Sequence, residues 1–142
     1  MKALKCALSL LALAGLSTAG QAIAACPAGG GGYLNHVQLK NAFEGKTVCA
    51  SRGSDRWQEF HQAGGTLIDY KMGPNHKLDP SKAVGSWAVD GTGANARMVY
   101  NYGSGGTYSY RVHDNGSGAY SFCGGGQEHA ATVRAGQTSC GF

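Results

Sequence analysis

Histidines, carboxylates and thiols are the groups on this chain able to move protons, attack a substrate or hold a metal, and their spacing decides which of these they do. The histidines are His36, His61, His76, His113 and His129. None stands in a His-x-x-x-His or Cys-x-x-Cys arrangement, the local spacings that build zinc sites. Strand alternation puts Trp57, Glu59 and His61 on one face, where a carboxylate can orient an imidazole. Glu128 and His129 are adjacent and so point oppositely in a strand. A Tyr–His pair can ligate haem, but no spacing here fixes such a pair, and surface histidines are the plainer reading. No cofactor and no metal is expected.

Nucleophilic and acid–base chemistry finds no better footing. No Gly-x-Ser-x-Gly elbow lies between a strand and a helix. The acids are scattered. Glu59 and Asp69 can face each other across a hairpin, but Arg56 and Lys71 beside them favour solvated side chains. An enzyme is not expected. Gly91-Thr92-Gly93-Ala94-Asn95-Ala96 spells a dinucleotide fingerprint, yet Arg97 to Tyr102 alternates like a strand, and that fingerprint works only by opening a helix. Asp114-Asn115-Gly116-Ser117-Gly118 supplies one acid, too few oxygens for calcium, and reads as a hairpin turn. Its Asn115-Gly116-Ser117 sequon has no use in a bacterial export context.

The cysteines bear on compartment. Residues 1–24 read as a removable signal peptide: Lys2 and Lys5, an apolar run from Cys6 to Leu16, a polar exit, then Ala22-Ile23-Ala24. The run is about 11 residues, too short to cross roughly 30 Å of hydrocarbon. Export to the periplasm or the extracellular space follows. Ile23-Ala24-Ala25-Cys26 also resembles the lipobox of bacterial lipoproteins, so anchoring through a lipidated Cys26 is the alternative. Cys26, Cys49, Cys123 and Cys140 then form an even set for an oxidising compartment. Of three pairings, Cys26–Cys140 tying the chain ends and Cys49–Cys123 bracing the sheet is the one expected.

Twelve basic side chains include Lys2 and Lys5, which leaves ten against eight acidic ones after the leader. That balance is too mild and dispersed for nucleic acid. No other apolar run reaches spanning length, so no stable membrane insertion is expected once the signal is removed.

The elements that must position these groups are short. Residues 25–32 form a Gly-rich lead-in, and 33–142 a single domain. Tyr33 to Glu44 is the one helix, capped by Asn35 and stopped by Gly45; its imperfect apolar stripe suits a helix that plugs or flanks a sheet. Strands follow at Lys46–Ser51, Arg56–Gln62, Thr66–Met72, Val84–Asp90, Arg97–Tyr102, Thr107–His113, Ala119–Cys123 and Glu128–Arg134, with Gly, Asn or Asp at the turns. Gly73 to Lys82, holding Pro74 and Pro80, is an irregular loop. The fold class is mainly β: an up-and-down antiparallel β-barrel of about eight strands with one short N-terminal helix, since closure removes the two exposed edges of such a meander. An open sandwich is the alternative.

Gly85-Ser86-Trp87 at a strand start resembles the Gly-x-Trp signature of lipocalins and related calycin barrels, although here it stands mid-chain and not on the first strand. With Leu39 to Val48 and Tyr108 to Phe122 it resembles small exported bacterial proteins with a lipocalin-like barrel, about a third of the mature chain. That resemblance implies a fold and no activity. Ser104-Gly105-Gly106-Thr107-Tyr108 resembles the Ser-Gly-x-x-Tyr loop of periplasmic inhibitors of C-type lysozyme. It implies that Ser104 enters an enzyme cleft while Tyr108 anchors the loop. A shorter echo is Ser117-Gly118-Ala119-Tyr120, and that family's second motif, a Tyr followed by Lys-Gly, is missing. A mildly basic surface also suits strongly basic lysozymes poorly.

The leading expectation is a secreted, disulfide-stapled barrel that binds a small apolar or aromatic ligand without chemistry. Its expected lining is Trp57, Tyr70, Trp87, Tyr100, Tyr108, Tyr110, Tyr120 and Phe122, whose rings offer stacking area and whose Tyr hydroxyls offer polar handles. A packed, ligand-free barrel would use the same residues. The second expectation is an extracellular protein-binding module acting through Ser104 and Tyr108.

Overall fold

The computed structural model describes residues 26–141 except 30, 70–74, 76, 78 and 79. The signal-peptide reading of residues 1–24, half of the Gly73–Lys82 loop, and Tyr70 therefore lie outside the described residues.

One helix precedes eight strands. Helix α1 (His36–Phe43) begins where Asn35 accepts the Gln38 N–H while Gln38 Oε1 accepts the Asn35 N–H, a reciprocal cap that satisfies two free amides. It ends at Glu44, and Gly45 turns the chain away at φ +70°. The strands are β1 (Lys46–Arg52), β2 (Asp55–His61), β3 (Thr66–Asp69), β4 (Lys82–Asp90), β5 (Arg97–Asn101), β6 (Thr107–Gly116), β7 (Ala119–Gly124) and β8 (Gln127–Ala135). Each pairs antiparallel with its sequence neighbour, and β8 returns to β1 with Val133 opposite Val48. The barrel is closed, so the open sandwich is excluded.

Alternation then sorts the side chains. Val48, His61, Leu67, Trp87, Met98, Tyr100, Val112 and Phe122 turn inward and form one core with Leu39 and Phe43 of α1. Phe43, wholly buried, sits against His61, Tyr120 and Phe122, with ring centroids 6.0, 5.1 and 5.4 Å away. Those residues come from opposite walls, so α1 plugs one end of the lumen. Gly85 of the Gly-Ser-Trp stretch is required by close approach: a Cβ there would lie 2.2 Å from the Asn101 carbonyl oxygen.

The outer wall is partly covered by the chain's own ends. Thr47, Gln58 and Ser121 point outward by register yet are buried. Thr47 Oγ1 donates to the Gly136 carbonyl at 2.7 Å, and Gln58 Oε1 accepts from the Cys140 N–H at 2.6 Å. At the other terminus the Leu34 N–H donates to the Val112 carbonyl at 2.8 Å, alongside a Tyr33–His113 bridge.

The disulfides correct the expected pairing. They are Cys26–Cys123 and Cys49–Cys140, each fastening one chain end to the barrel wall, in place of Cys26–Cys140 and Cys49–Cys123. Register gives the reason. Cys49 stands opposite Thr132 and Cys123 opposite Glu128, on the two flanks of β8. They are thus two strands and four residues apart, roughly 10 Å across and about 13 Å along, beyond the ~7 Å Cα reach of a disulfide. Among the described residues no helix is long and apolar enough to cross a membrane.

Candidate functional site

The end of the barrel remote from α1 is hollow. A cavity of about 610 Å³ opens there, bounded by the end of β1, the start of β2, the β5–β6 turn and the β7–β8 turn. Register explains who stands in it. Trp57 lies opposite Ala50 and Glu59 opposite Val48, so the small side chains of β1 leave room above them. Tyr100 lies opposite Tyr108, and Met98 opposite Tyr110, which lines the wall of β5 and β6 with rings. Gly124 is needed beside them. A Cβ there would meet the Ser109 carbonyl oxygen at 2.6 Å and the Tyr110 ring at 3.0 Å.

Of the expected lining residues, the cavity brings together Trp57, Tyr100, Tyr108, Tyr110 and Phe122. Trp87 and Tyr120 do not border it and belong to the plugged end. Trp87 is buried beside His61 at 5.1 Å, with its Nε1–H donating to the Gln62 carbonyl and Lys40 of α1 over its ring at 4.8 Å. Tyr120 leans on Phe43. Alternation assigned both to the correct face, but α1 fills the lumen where they stand. Tyr108, although inward by register, is 47% exposed because it sits at the rim.

The Tyr108 hydroxyl donates to the Gly105 carbonyl at 3.0 Å and ties down the turn Gly103–Gly105, in which Ser104 is exposed.

Among the wall residues that sequence reasoning missed are Arg52, Glu59, Tyr102, Gln127 and His129. Tyr102 carries the same parity as Met98 and Tyr100, and His129 that of Ala131 and Val133, so a signal existed for both. Glu59 corrects the expectation of a solvated carboxylate. It faces the lumen, and the Tyr102 hydroxyl donates to Oε1 and Oε2, both at 3.0 Å. Burial pushes the Glu59 pKa up to about 7, with nearby Asp69 adding to the rise, while the Tyr102 hydrogen bond pulls the other way. Tyr102 is itself raised, first by burial and then by the Glu59 charge.

Glu59 and His61 do share a face, as expected, but the carboxylate does not orient the ring. His61 Nδ1 lies 3.1 Å from the Glu59 carbonyl, which only accepts, so Nδ1 carries the proton. Nε2 then accepts from the Tyr100 hydroxyl at 2.9 Å. Burial lowers the His61 pKa to about 4, which keeps this ring neutral. His129 packs edge-on against Trp57 and Tyr110, at 6.0 and 5.4 Å, and burial, then the Arg52 charge, lowers its pKa also. At the rim Arg52 Nη1 donates to Gln127 Oε1 at 2.9 Å, and Nη2 lies 3.9 Å from Asp55.

A second recess of about 420 Å³ adjoins the first and shares Trp57, Glu59 and Tyr102 with it, adding Asp55, Arg56, Asp69 and Val84. Cys26, Cys123 and Glu128 bring their ligand atoms within 4.8 Å of one another, but both thiols are spent in the disulfide, so the group holds no metal. What the arrangement offers chemically is an open, ring-lined cup with one half-buried carboxyl at its side. Compared with protein-family models, curated proteins and solved structures, the chain matches none of them.

Proposed function

We propose that this chain is an exported, non-enzymatic protein that holds a small apolar or aromatic ligand in the open end of its barrel. The observation that carries this reading is the cavity of about 610 Å³ walled by Trp57, Tyr100, Tyr102, Tyr110 and Phe122. That volume falls within the ~300–1,000 Å³ of small-molecule pockets, and apolar walls with a few polar groups are how such pockets gain affinity and orientation. Binding without chemistry is supported by the buried histidine: His61 spends both ring nitrogens on Tyr100 and a backbone carbonyl. Release into the periplasm or the extracellular space is supported by two disulfides, which suit an oxidising compartment. The Cys26 sulfur, bonded to Cys123, favours free release over a lipid anchor.

The test is titration of the oxidised protein with the neutral fluorophore N-phenyl-1-naphthylamine. Saturable enhancement at one site, lost in a Trp57→Ala/Tyr110→Ala double variant that keeps its fold, is the expected result. Unsaturable binding, or binding indifferent to those two rings, overturns it.

A second reading has an observation of its own. The exposed Ser104 turn, pinned by Tyr108, stands at the rim as a preformed loop for a protein partner. It predicts that Ser104→Tyr weakens capture of a C-type lysozyme while the unfolding midpoint stays put. No capture by the unaltered chain refutes it.

A further inference from the structure

We propose that the ligand of this cavity is an organic cation, an amine or quaternary ammonium on an apolar body, with Glu59 as its counter-ion and Trp57, Tyr100 and Tyr102 as its ring wall. The inference deepens the small-ligand reading and rests on it.

Three observations converge. First, Glu59 borders both recesses, so its carboxyl lies where they meet and not in the solvated rim. A carboxyl held inside a ring-lined cup is costly to ionise unless a positive charge arrives with the ligand.

Second, the neighbouring rings are the electron-rich kind. Tyr100 and Tyr102 lie nearly parallel, 14° apart, and Tyr108 stands against Tyr102 at 6.0 Å. Faces of Trp and Tyr attract cations, and a ring cage beside a carboxylate is how quaternary ammonium groups are recognised.

Third, the fixed charges are sorted. Asp69 of β3 lies opposite Glu59, and Asp55 lines the recess that Glu59 shares. The cations near the site are Arg52 and Arg56 at the β1–β2 end and Lys82 of β4, which stands opposite Asp69; Arg52 is engaged by Gln127 and Asp55. His129 of β8 is held towards neutrality. The groups around Glu59 are therefore Asp69 with Lys82 across from it, Arg56 in the shared recess, the hydroxyl-bearing rings of Tyr100, Tyr102 and Tyr110, and Arg52 further along β1. Among the described residues no salt bridge joins any of these cations to the Glu59 carboxyl.

Below about pH 7 a neutral ligand would meet Glu59 in its protonated form. A cation would instead displace that proton, which leaves a measurable linkage. For a quaternary ammonium, whose own charge is fixed, affinity falls about tenfold per pH unit below about 7 and levels off above it.

The experiment is displacement of bound N-phenyl-1-naphthylamine by benzyltrimethylammonium and by neopentylbenzene, its uncharged carbon isostere. The cation is expected to compete about tenfold better at pH 8. Glu59→Gln is expected to abolish that preference. If this variant fails to fold, the pH profile of the unaltered protein decides in its place. Equal competition by the two compounds, or a flat profile between pH 5 and 8, overturns the cation assignment while leaving the cavity reading intact. Failure of the fluorophore itself to bind counts against the cavity reading.

Discussion

At the plugged end of the barrel, Phe43 occupies the lumen between His61, Tyr120 and Phe122, and Trp87 is sealed beneath Lys40. At the other end Trp57, Tyr102 and Tyr110 stand around unfilled volume. Both ends draw on the same residue types at the same strand period. The difference is one helix. Where α1 enters, rings meet rings and become core; where it does not, the same kind of ring is left with a free face. Aromatic content thus says little about binding until something decides which rings are already spent.

Phe43→Ala should break the contrast most severely. Emptying a fully buried site costs about 3–5 kcal/mol, read as a drop in the urea midpoint with the slope unchanged. The same truncation at Trp57, which is only half-buried, should cost about 1 kcal/mol or less and instead remove fluorophore binding. Comparable losses at the two positions would show that the open end is packed as tightly as the closed one.

Next in size is a titration that couples the ends. Glu59 has a folded pKa raised above its unfolded value of 4.5, so its contribution is fully present below that value and is lost as pH rises towards 7. His61 has a folded pKa below its unfolded 6.5, so its contribution is present above 6.5 and is lost as pH falls towards 4. The slopes oppose each other over one window and largely cancel. Glu59→Gln should expose the histidine alone: stability should then rise with pH between 4 and 6.5 by up to about 3 kcal/mol. Unfolding midpoints measured at pH 4, 5, 6 and 8 would show it, and an unchanged profile would mean that Glu59 titrates normally.

Smaller still are two changes at the rim. Gly124→Ala should cost about 1–3 kcal/mol, because the added Cβ meets the Ser109 carbonyl oxygen at 2.6 Å, and should weaken fluorophore binding several-fold by pressing on the Tyr110 ring at 3.0 Å. Tyr108→Phe removes one partly exposed hydrogen bond, so it should cost about 0.5–1 kcal/mol and loosen the Ser104 turn, seen as faster amide exchange at Gly105 and Gly106.

Much of the architecture could be read from residue order. Asn35 and Gly45 bracket the helix, Gly64, Gly91 and Gly125 mark reversals, and the apolar parity of Met98, Tyr100 and Tyr102 survives intact on the inner wall. The remainder depended on contacts between distant parts of the chain. Which end α1 fills is set by packing, so Trp87 and Tyr120 could not be separated from Trp57 and Tyr110 beforehand. Burial of outward-facing Thr47 and Gln58 follows from a C-terminal segment that wraps the wall, and no local pattern announces a wrap. The cysteine pairing failed for the same reason. Glu59 is the instructive case: its parity pointed inward, but a charged side chain beside Arg56 reads as solvated until the enclosing rings are placed.

Because Cys123 and Cys49 sit on the two strands flanking β8, the crosslinks also fix how the molecule bears tension. Stretched from Cys26 to Cys140, the oxidised protein carries the force through β7, β8 and β1, and β2 to β6 stay slack. A tether at either terminus therefore strains the seam that closes the ring, and a reducing agent would reroute that strain through every strand in turn.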